Sequence, residues 1–294
     1  MNITAVNNPF SNAKRIGKPL ILDGAMGSML QKKGFTEDPD LWMSKLNITN
    51  PKTIFEIHKE YIKAGADIIT TNTFRTNPSA FEGAGYPFDS KYLREAVRIA
   101  KDASENSKDV IAGSNPPAED CYQRERKIND KLLEINHTNH IDLLMNNGVD
   151  FILNETQSHF DEIKIICEYC TGNNIPYIIS FYFDENLTIF SGEQLKYIVE
   201  YASDHNPLAI GFNCIAPRLF TSMHRNIIPN GNWGFYLNCG SGNPQDENLK
   251  CGVNPAEYAK IVIETIKYKP SFVGACCGSN PNHIKEIKRI YAED

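Results

Sequence analysis

Eight short runs rich in β-branched and aromatic residues, most of them followed by a longer stretch of helical spacing, set the tightest limit on how this chain can fold. They fall at 19–23, 67–71, 110–114, 151–155, 177–183, 209–213, 233–238 and 272–274. Alternation of this kind builds repeated βα units on a parallel sheet. Ile54, Ile57, His58, Tyr61 and Ile62 form one apolar stripe at helical spacing, and Ile163, Ile166, Cys167 and Cys170 form another. Helix starts are marked at Asn50–Pro51, Asn254–Pro255 and Asn280–Pro281, where proline takes the first helical position behind a capping asparagine. Ala64–Gly65–Ala66–Asp67 and Asn146–Asn147–Gly148–Val149–Asp150 each end a helix and lead into a strand. Such joints serve a closed barrel and an open doubly wound sheet equally. No linker or composition break divides the 294 residues, a length normal for a β/α barrel. The expectation is an α/β chain forming one (β/α)8 TIM barrel over 1–294, with 1–18 as an N-terminal extension.

Charge and hydropathy narrow the function classes. A net charge of -6 with scattered lysines argues against a nucleic-acid partner, which would call for a basic face. No apolar run approaches the roughly 20 residues that span a bilayer, and the polar first twelve residues do not read as a signal peptide. The expected setting is cytoplasmic, with small-molecule substrates. In that compartment eight cysteines are more often thiols, catalytic groups or metal ligands than disulfides. No glycine-rich nucleotide-binding pattern is present.

In a β/α barrel the loops after the strand C-termini build the active site. Asp23 closes the first run, Thr71–Asn72–Thr73–Phe74 the second, Ser114–Asn115 the third, and Asn154–Glu155–Thr156 the fourth. Asn213–Cys214 follows the sixth, Asn238–Cys239 the seventh and Cys276–Cys277 the eighth. Cys214, Cys276 and Cys277 are therefore expected on one rim. Three thiolates around a tetrahedral zinc leave a fourth position open for a substrate, the pattern of a catalytic site. Adjacent cysteines need a tight turn to share a metal, and Gly274 and Gly278 are the residues that would permit it. Small-residue packing of buried cysteines is the competing reading, and chemistry alone leaves both open. Cys167 and Cys170 lie within a helical stripe (162–171), which suits packing rather than redox chemistry. His58, His159 and His283 read as structural.

The segments Leu22–Asp23–Gly24–Ala25–Met26–Gly27–Ser28, Thr71–Asn72–Thr73–Phe74, Gly211–Phe212–Asn213–Cys214 and Gly274–Ala275–Cys276–Cys277–Gly278 resemble the homocysteine S-methyltransferase family. The resemblance runs from about residue 20 to 284. It implies a zinc ion (Zn2+) on Cys214, Cys276 and Cys277, with Asn238 as an exchangeable fourth ligand. It implies that Glu155 binds the amino group of homocysteine, that Asp23 and Gly24 line the amino-acid pocket, and that Asn72 and Thr73 line it too. The implied activity is a methyltransferase that moves a methyl group from a donor to homocysteine, giving methionine.

Three departures touch the donor side. The loop after the third run, Gly113–Ser114–Asn115–Pro116–Pro117–Ala118–Glu119–Asp120–Cys121–Tyr122, shares little with the family beyond its opening. Cys239 stands where serine is usual, and Asn154 where an apolar or aromatic residue is common. Asp38–Pro39–Asp40–Leu41–Trp42 resembles the S-methylmethionine group, so a sulfonium donor leads, either S-methylmethionine or S-adenosylmethionine. Trp42 offers it a cation–π face. A betaine donor, a methylated corrinoid carried by another protein, and a barrel that binds zinc or thiol without catalysis are the alternatives.

Overall fold

The computed structural model describes residues 3, 7–105, 109–241 and 250–292. Eight strands form the sheet: β1 (Leu20–Ile21), β2 (Ile68–Thr70), β3 (Val110–Asn115), β4 (Phe151–Gln157), β5 (Tyr177–Phe181), β6 (Ala209–Asn213), β7 (Trp233–Leu237) and β8 (Phe272–Ala275). Every pairing is parallel, in the order β1-β8-β7-β6-β5-β4-β3-β2. A parallel bridge between Leu22 and Ile68 joins the two ends, with the Asp23 amide donating to the Ile68 carbonyl at 3.0 Å. The sheet is thus a (β/α)8 barrel, and the doubly wound alternative falls away.

The expected runs and the strands differ most at this seam. The first two runs, 19–23 and 67–71, shrink to two and three residues. Carboxylates take over the missing rungs: Asp67 Oδ2 accepts from the Ile21 amide at 2.9 Å, and Asp23 Oδ2 from the Thr70 amide at 2.9 Å. At the other extreme β4 runs on past Glu155 to Gln157, with a register shift against β5 between Asn154 and Gln157. There Thr156 takes a left-handed backbone (φ +60°). Such a bulge re-aims side chains at a barrel rim.

Helices cover the outside. Pro51–Ala64 buries Ile54, Ile57, His58 and Tyr61, and Phe160–Gly172 buries Ile163, Ile166, Cys167 and Cys170, so both expected stripes face the sheet. The Asn254 and Asn280 caps close full capping boxes with Glu257 and His283, while the Asn50 side chain makes no capping bond. Inside the barrel, Phe151, Leu153, Ile178, Tyr236 and Phe272 pack as one cluster. Helix Pro9–Ile16, within the stretch set apart as an N-terminal extension, closes its floor. Phe10 there is wholly buried, edge-on to Phe151 and Phe272 at 5.6 and 5.8 Å. With the floor plugged, the opposite rim is where a ligand can enter. Among the described residues, no helix is long and apolar enough to cross a membrane.

Candidate functional site

At that rim lies a pocket of about 410 Å³. Cys214 leaves β6 with a left-handed backbone (φ +57°), which turns its thiol inward. Cys276 and Cys277 leave β8 in a turn in which the Cys276 amide donates to the Leu237 carbonyl at 2.8 Å. Gly278 carries the left-handed residue of that turn (φ +78°), and a Cβ there would meet the backbone of Gly240. Gly274, expected to help the turn, instead lies within β8. A Cβ on it would come 2.8 Å from the Leu22 Cβ, so this glycine serves the close approach of β1 to β8.

The Cys214 and Cys277 sulfurs are 3.6 Å apart, those of Cys276 and Cys277 3.9 Å, and all three lie within 4.8 Å of one another. Zinc–sulfur bonds of about 2.3 Å in a tetrahedron put sulfurs roughly 3.8 Å apart, so three soft donors stand at the right mutual distances for such an ion. Cys214 ionises first of the three: hydrogen bonds from Cys276 and Cys277 hold its thiol well below the ordinary thiol range, and the Tyr122 hydroxyl 3.1 Å away adds to this. Hydrogen bonds to Cys214, with burial and the Cys214 charge adding to them, in turn push the Cys276 and Cys277 thiols well up.

Asp23 and Glu155 are the carboxyl groups at strand ends that line the same pocket. Burial pushes Asp23 up to about 8, against the lowering effect of its bonds from the Thr70 amide and hydroxyl (2.9 and 2.8 Å), and the charge of Glu155 adds to the rise. Burial likewise raises Glu155 to about 7, although the Ser114 hydroxyl donates to it. Among the described residues neither Asp23 nor Glu155 makes an ion pair, so a bound ammonium would favour their charged forms. Gly24 lines it at a point where a Cβ would stand 2.8 Å from Ser279 Oγ and from the Tyr61 ring.

Other expected residues lie differently. Asn72 borders the pocket, but its side-chain amide donates to Asn47 Oδ1 at 2.8 Å and to the Met43 carbonyl at 3.2 Å. Thr73 is fully buried outside the lining, its hydroxyl donating to the Ser114 carbonyl at 2.7 Å. Asn238 is also outside the lining, and its Oδ1 accepts from the Gly240 amide at 2.7 Å. Cys239 turns away from the three thiols, with its sulfur 3.7 Å from the Leu237 carbonyl. Trp42 stands at the mouth beside Glu37, Asp38 and Asp40. Its indole N–H donates to Glu37 at 3.0 Å, its ring meets Phe74 edge-on, and its backbone is left-handed (φ +48°). Trp42, Thr156 and Cys214 thus all spend conformational strain at one pocket, as functional sites commonly do.

Sequence reasoning missed two features. Tyr122, in the divergent loop after β3, reaches the cysteine cluster. Beneath that loop lies a buried polar layer: Asn115 donates to Asn154 Oδ1 (2.7 Å), His140 Nδ1 pairs with Asn115 Oδ1 (2.9 Å), and His137 Nε2 pairs with Glu162 (2.8 Å). Asn136, His137 and His140 on the inner face of one helix were the available signal, since polar groups on a buried face need partners. The layer also accounts for Asn154, which serves Asn115 and the Ile178 carbonyl rather than the pocket.

Comparison with known proteins agrees with this geometry. The family model described as homocysteine S-methyltransferase matches residues 20–291. Homocysteine S-methyltransferase 2 of Arabidopsis thaliana is 23% identical, with 94% of each chain covered. The homocysteine S-methyltransferase of Escherichia coli K12 is 26% identical over 96% of this chain and 98% of its own. The metallated form of the homocysteine methyltransferase MmuM from Escherichia coli superposes with a TM-score of 0.80, at 23% identity, covering 96% of this chain and 100% of that one.

Proposed function

The chain belongs to the homocysteine S-methyltransferase family, and from that premise we propose that it methylates homocysteine to methionine at a zinc ion held by Cys214, Cys276 and Cys277, with a sulfonium compound as donor. One observation carries the reading: three thiols 3.6 and 3.9 Å apart and the carboxyls of Asp23 and Glu155 share a single pocket. That pairing suits a small amino acid bearing both a sulfur and an ammonium group. A zinc ion, when bound, supplies the Lewis acidity that lets a thiol be held as thiolate at neutral pH.

The chain's own residues orient the reactants. Glu155 and Asp23 bind the ammonium of homocysteine, and the thiol cluster fixes where its sulfur lies, so the acceptor is held at both ends. The plugged barrel floor leaves the donor one approach, from the mouth. There Glu37, Asp38, Asp40 and Asp120 place negative charge around Trp42 and Phe74, a setting that suits a cationic methyl donor, and the resemblance of Asp38–Pro39–Asp40–Leu41–Trp42 to the S-methylmethionine group favours a sulfonium. Arg75 lines the same mouth and can take an amino-acid carboxylate. In the transfer, the homocysteine sulfur forms the new S–C bond and its proton leaves to water. The donor's S–C bond breaks with its electron pair staying on the donor sulfur, which departs as a neutral thioether. The thiol-rich site suits the reducing cytoplasm.

The test is methionine formation by reduced, zinc-loaded protein given homocysteine with S-methylmethionine, S-adenosylmethionine or betaine in separate reactions. Turnover with a sulfonium and none with betaine is expected; turnover with betaine alone would overturn the donor assignment. Cys276→Ser should lose most bound zinc, and an unchanged zinc content would remove Cys276 from the ligand set.

A further inference from the structure

Tyr122 comes from the loop after β3, and its hydroxyl lies 3.1 Å from Cys214 Sγ. A metal-bound cysteine is a thiolate with no proton to give, so the phenol is the donor in that pair. The contact is held from several sides. The Tyr122 ring stands edge-on to Tyr182 at 5.2 Å, and its amide donates to Asp120 Oδ1 at 2.9 Å. Ser158 Oγ donates to the neighbouring Cys121 carbonyl at 3.2 Å.

The loop as a whole is fastened by one buried carboxylate. Glu162 Oε2 accepts from the Ala118 amide at 3.0 Å and pairs with His137 Nε2 at 2.8 Å, while Glu162 Oε1 accepts from Arg126. Ala118 and Arg126 stand on either side of Tyr122. Glu162, only 1% exposed, therefore ties both flanks of the loop to the helix behind β4 and leaves the tip little freedom. A hydrogen bond fixed in this way orients the sulfur. Partners of that kind around metal ligands are worth roughly 10–100-fold in metal affinity.

We propose that Tyr122 is a positioning residue of the metal site: its hydroxyl donates to the Cys214 thiolate and sets the affinity of the three-cysteine cluster for zinc. The inference rests on the zinc reading above and adds a residue to it.

The experiment is a competition titration of zinc against a chromophoric chelator, with the full-length reduced protein, its Tyr122→Phe variant and a Tyr182→Phe control. Tyr122→Phe keeps the ring and removes only the hydroxyl. It should weaken zinc binding by about tenfold or more while leaving the melting temperature of the metal-free protein unchanged. Tyr182→Phe should bind zinc like the unaltered protein. Equal affinity of Tyr122→Phe and the unaltered protein would overturn the role given to Tyr122. Equal weakening by both variants would do so as well, since it would trace the effect to aromatic packing. Failure of the unaltered protein to bind zinc would remove the metal reading itself, and this inference with it.

Discussion

Glu155→Gln should make the ligand-free protein more stable above neutral pH while destroying its hold on homocysteine. The Glu155 carboxyl keeps its proton to about pH 7 in the folded chain, where an ordinary glutamate loses it near 4.5, and burial is the main cause. Ionisation therefore costs the folded state progressively as pH rises from about 4.5 to about 7, and the full cost is present above that range. Between about 4.5 and about 7, at about 1.4 kcal/mol for each tenfold change in proton activity, that cost reaches about 3.5 kcal/mol. Because the side chain opens onto solvent in the pocket, about 2 kcal/mol is the usable figure. Glutamine has nearly the same shape, can still accept from Ser114, and carries no charge to bury. Urea unfolding of the metal-free protein should thus show the variant ahead by about 2 kcal/mol at pH 8.5 and nearly level at pH 4.5. Isothermal titration of the zinc-loaded variant should show homocysteine affinity largely lost. A variant equally destabilised at both pH values would refute the reasoning, because it would mean that the Glu155 charge is already satisfied by the fold.

Two further changes probe the scaffold. Glu162→Ala leaves the Ala118 amide and His137 Nε2 without their acceptor and strips Arg126 of one partner, so it should cost about 3–5 kcal/mol in urea unfolding. Its neighbours hold Glu162 down to about 2 in the folded chain, so the wild-type contribution is fully present above about pH 4.5 and fades only as pH falls toward 2. The loss should be the same at pH 6 and pH 8, and a loss under 1 kcal/mol would show that the loop is not fastened there. His58→Leu should instead stabilise by about 1–3 kcal/mol. His58 is completely buried with neither ring nitrogen partnered among the described residues, and burial lowers it to about 3. The unfolded chain takes up that proton below about 6.5, so the wild type loses stability as pH falls from 6.5 toward 3, and the variant should lose less. A less stable His58→Leu protein would point to a polar partner for the ring.

The barrel was legible because a buried parallel strand must be apolar throughout and its return helix must be amphipathic; Ala209–Asn213 and the stripe at Ile163, Ile166, Cys167 and Cys170 show both. The three cysteines were legible because strand ends in such a barrel share one rim. Strand lengths at the seam were not, since they depend on Asp23 and Asp67 acting as backbone acceptors across the sheet, 47 and 46 residues from their donors. For the same reason the contacts of Thr73, expected to line the pocket, and Asn238, expected as an exchangeable zinc ligand, were not legible: their side chains bond backbone groups that only the folded chain brings near. Tyr122 was hidden by a loop with no periodicity to read, whose shape depends on Glu162 in another element.

A ring of strands is mechanically only as closed as its shortest joint, and here that joint is held partly by a side chain. The Asp23 carboxylate stands in for a rung between β1 and β2 while facing the pocket. The same two oxygens thus hold the seam of the barrel and face its pocket at once. Asparagine would keep one backbone bond and lose the charge, and glutamate would keep the charge and overshoot the Thr70 amide. Either change would therefore alter the seam and the pocket together, so the circumference of the barrel and the shape of its mouth are set by one side chain.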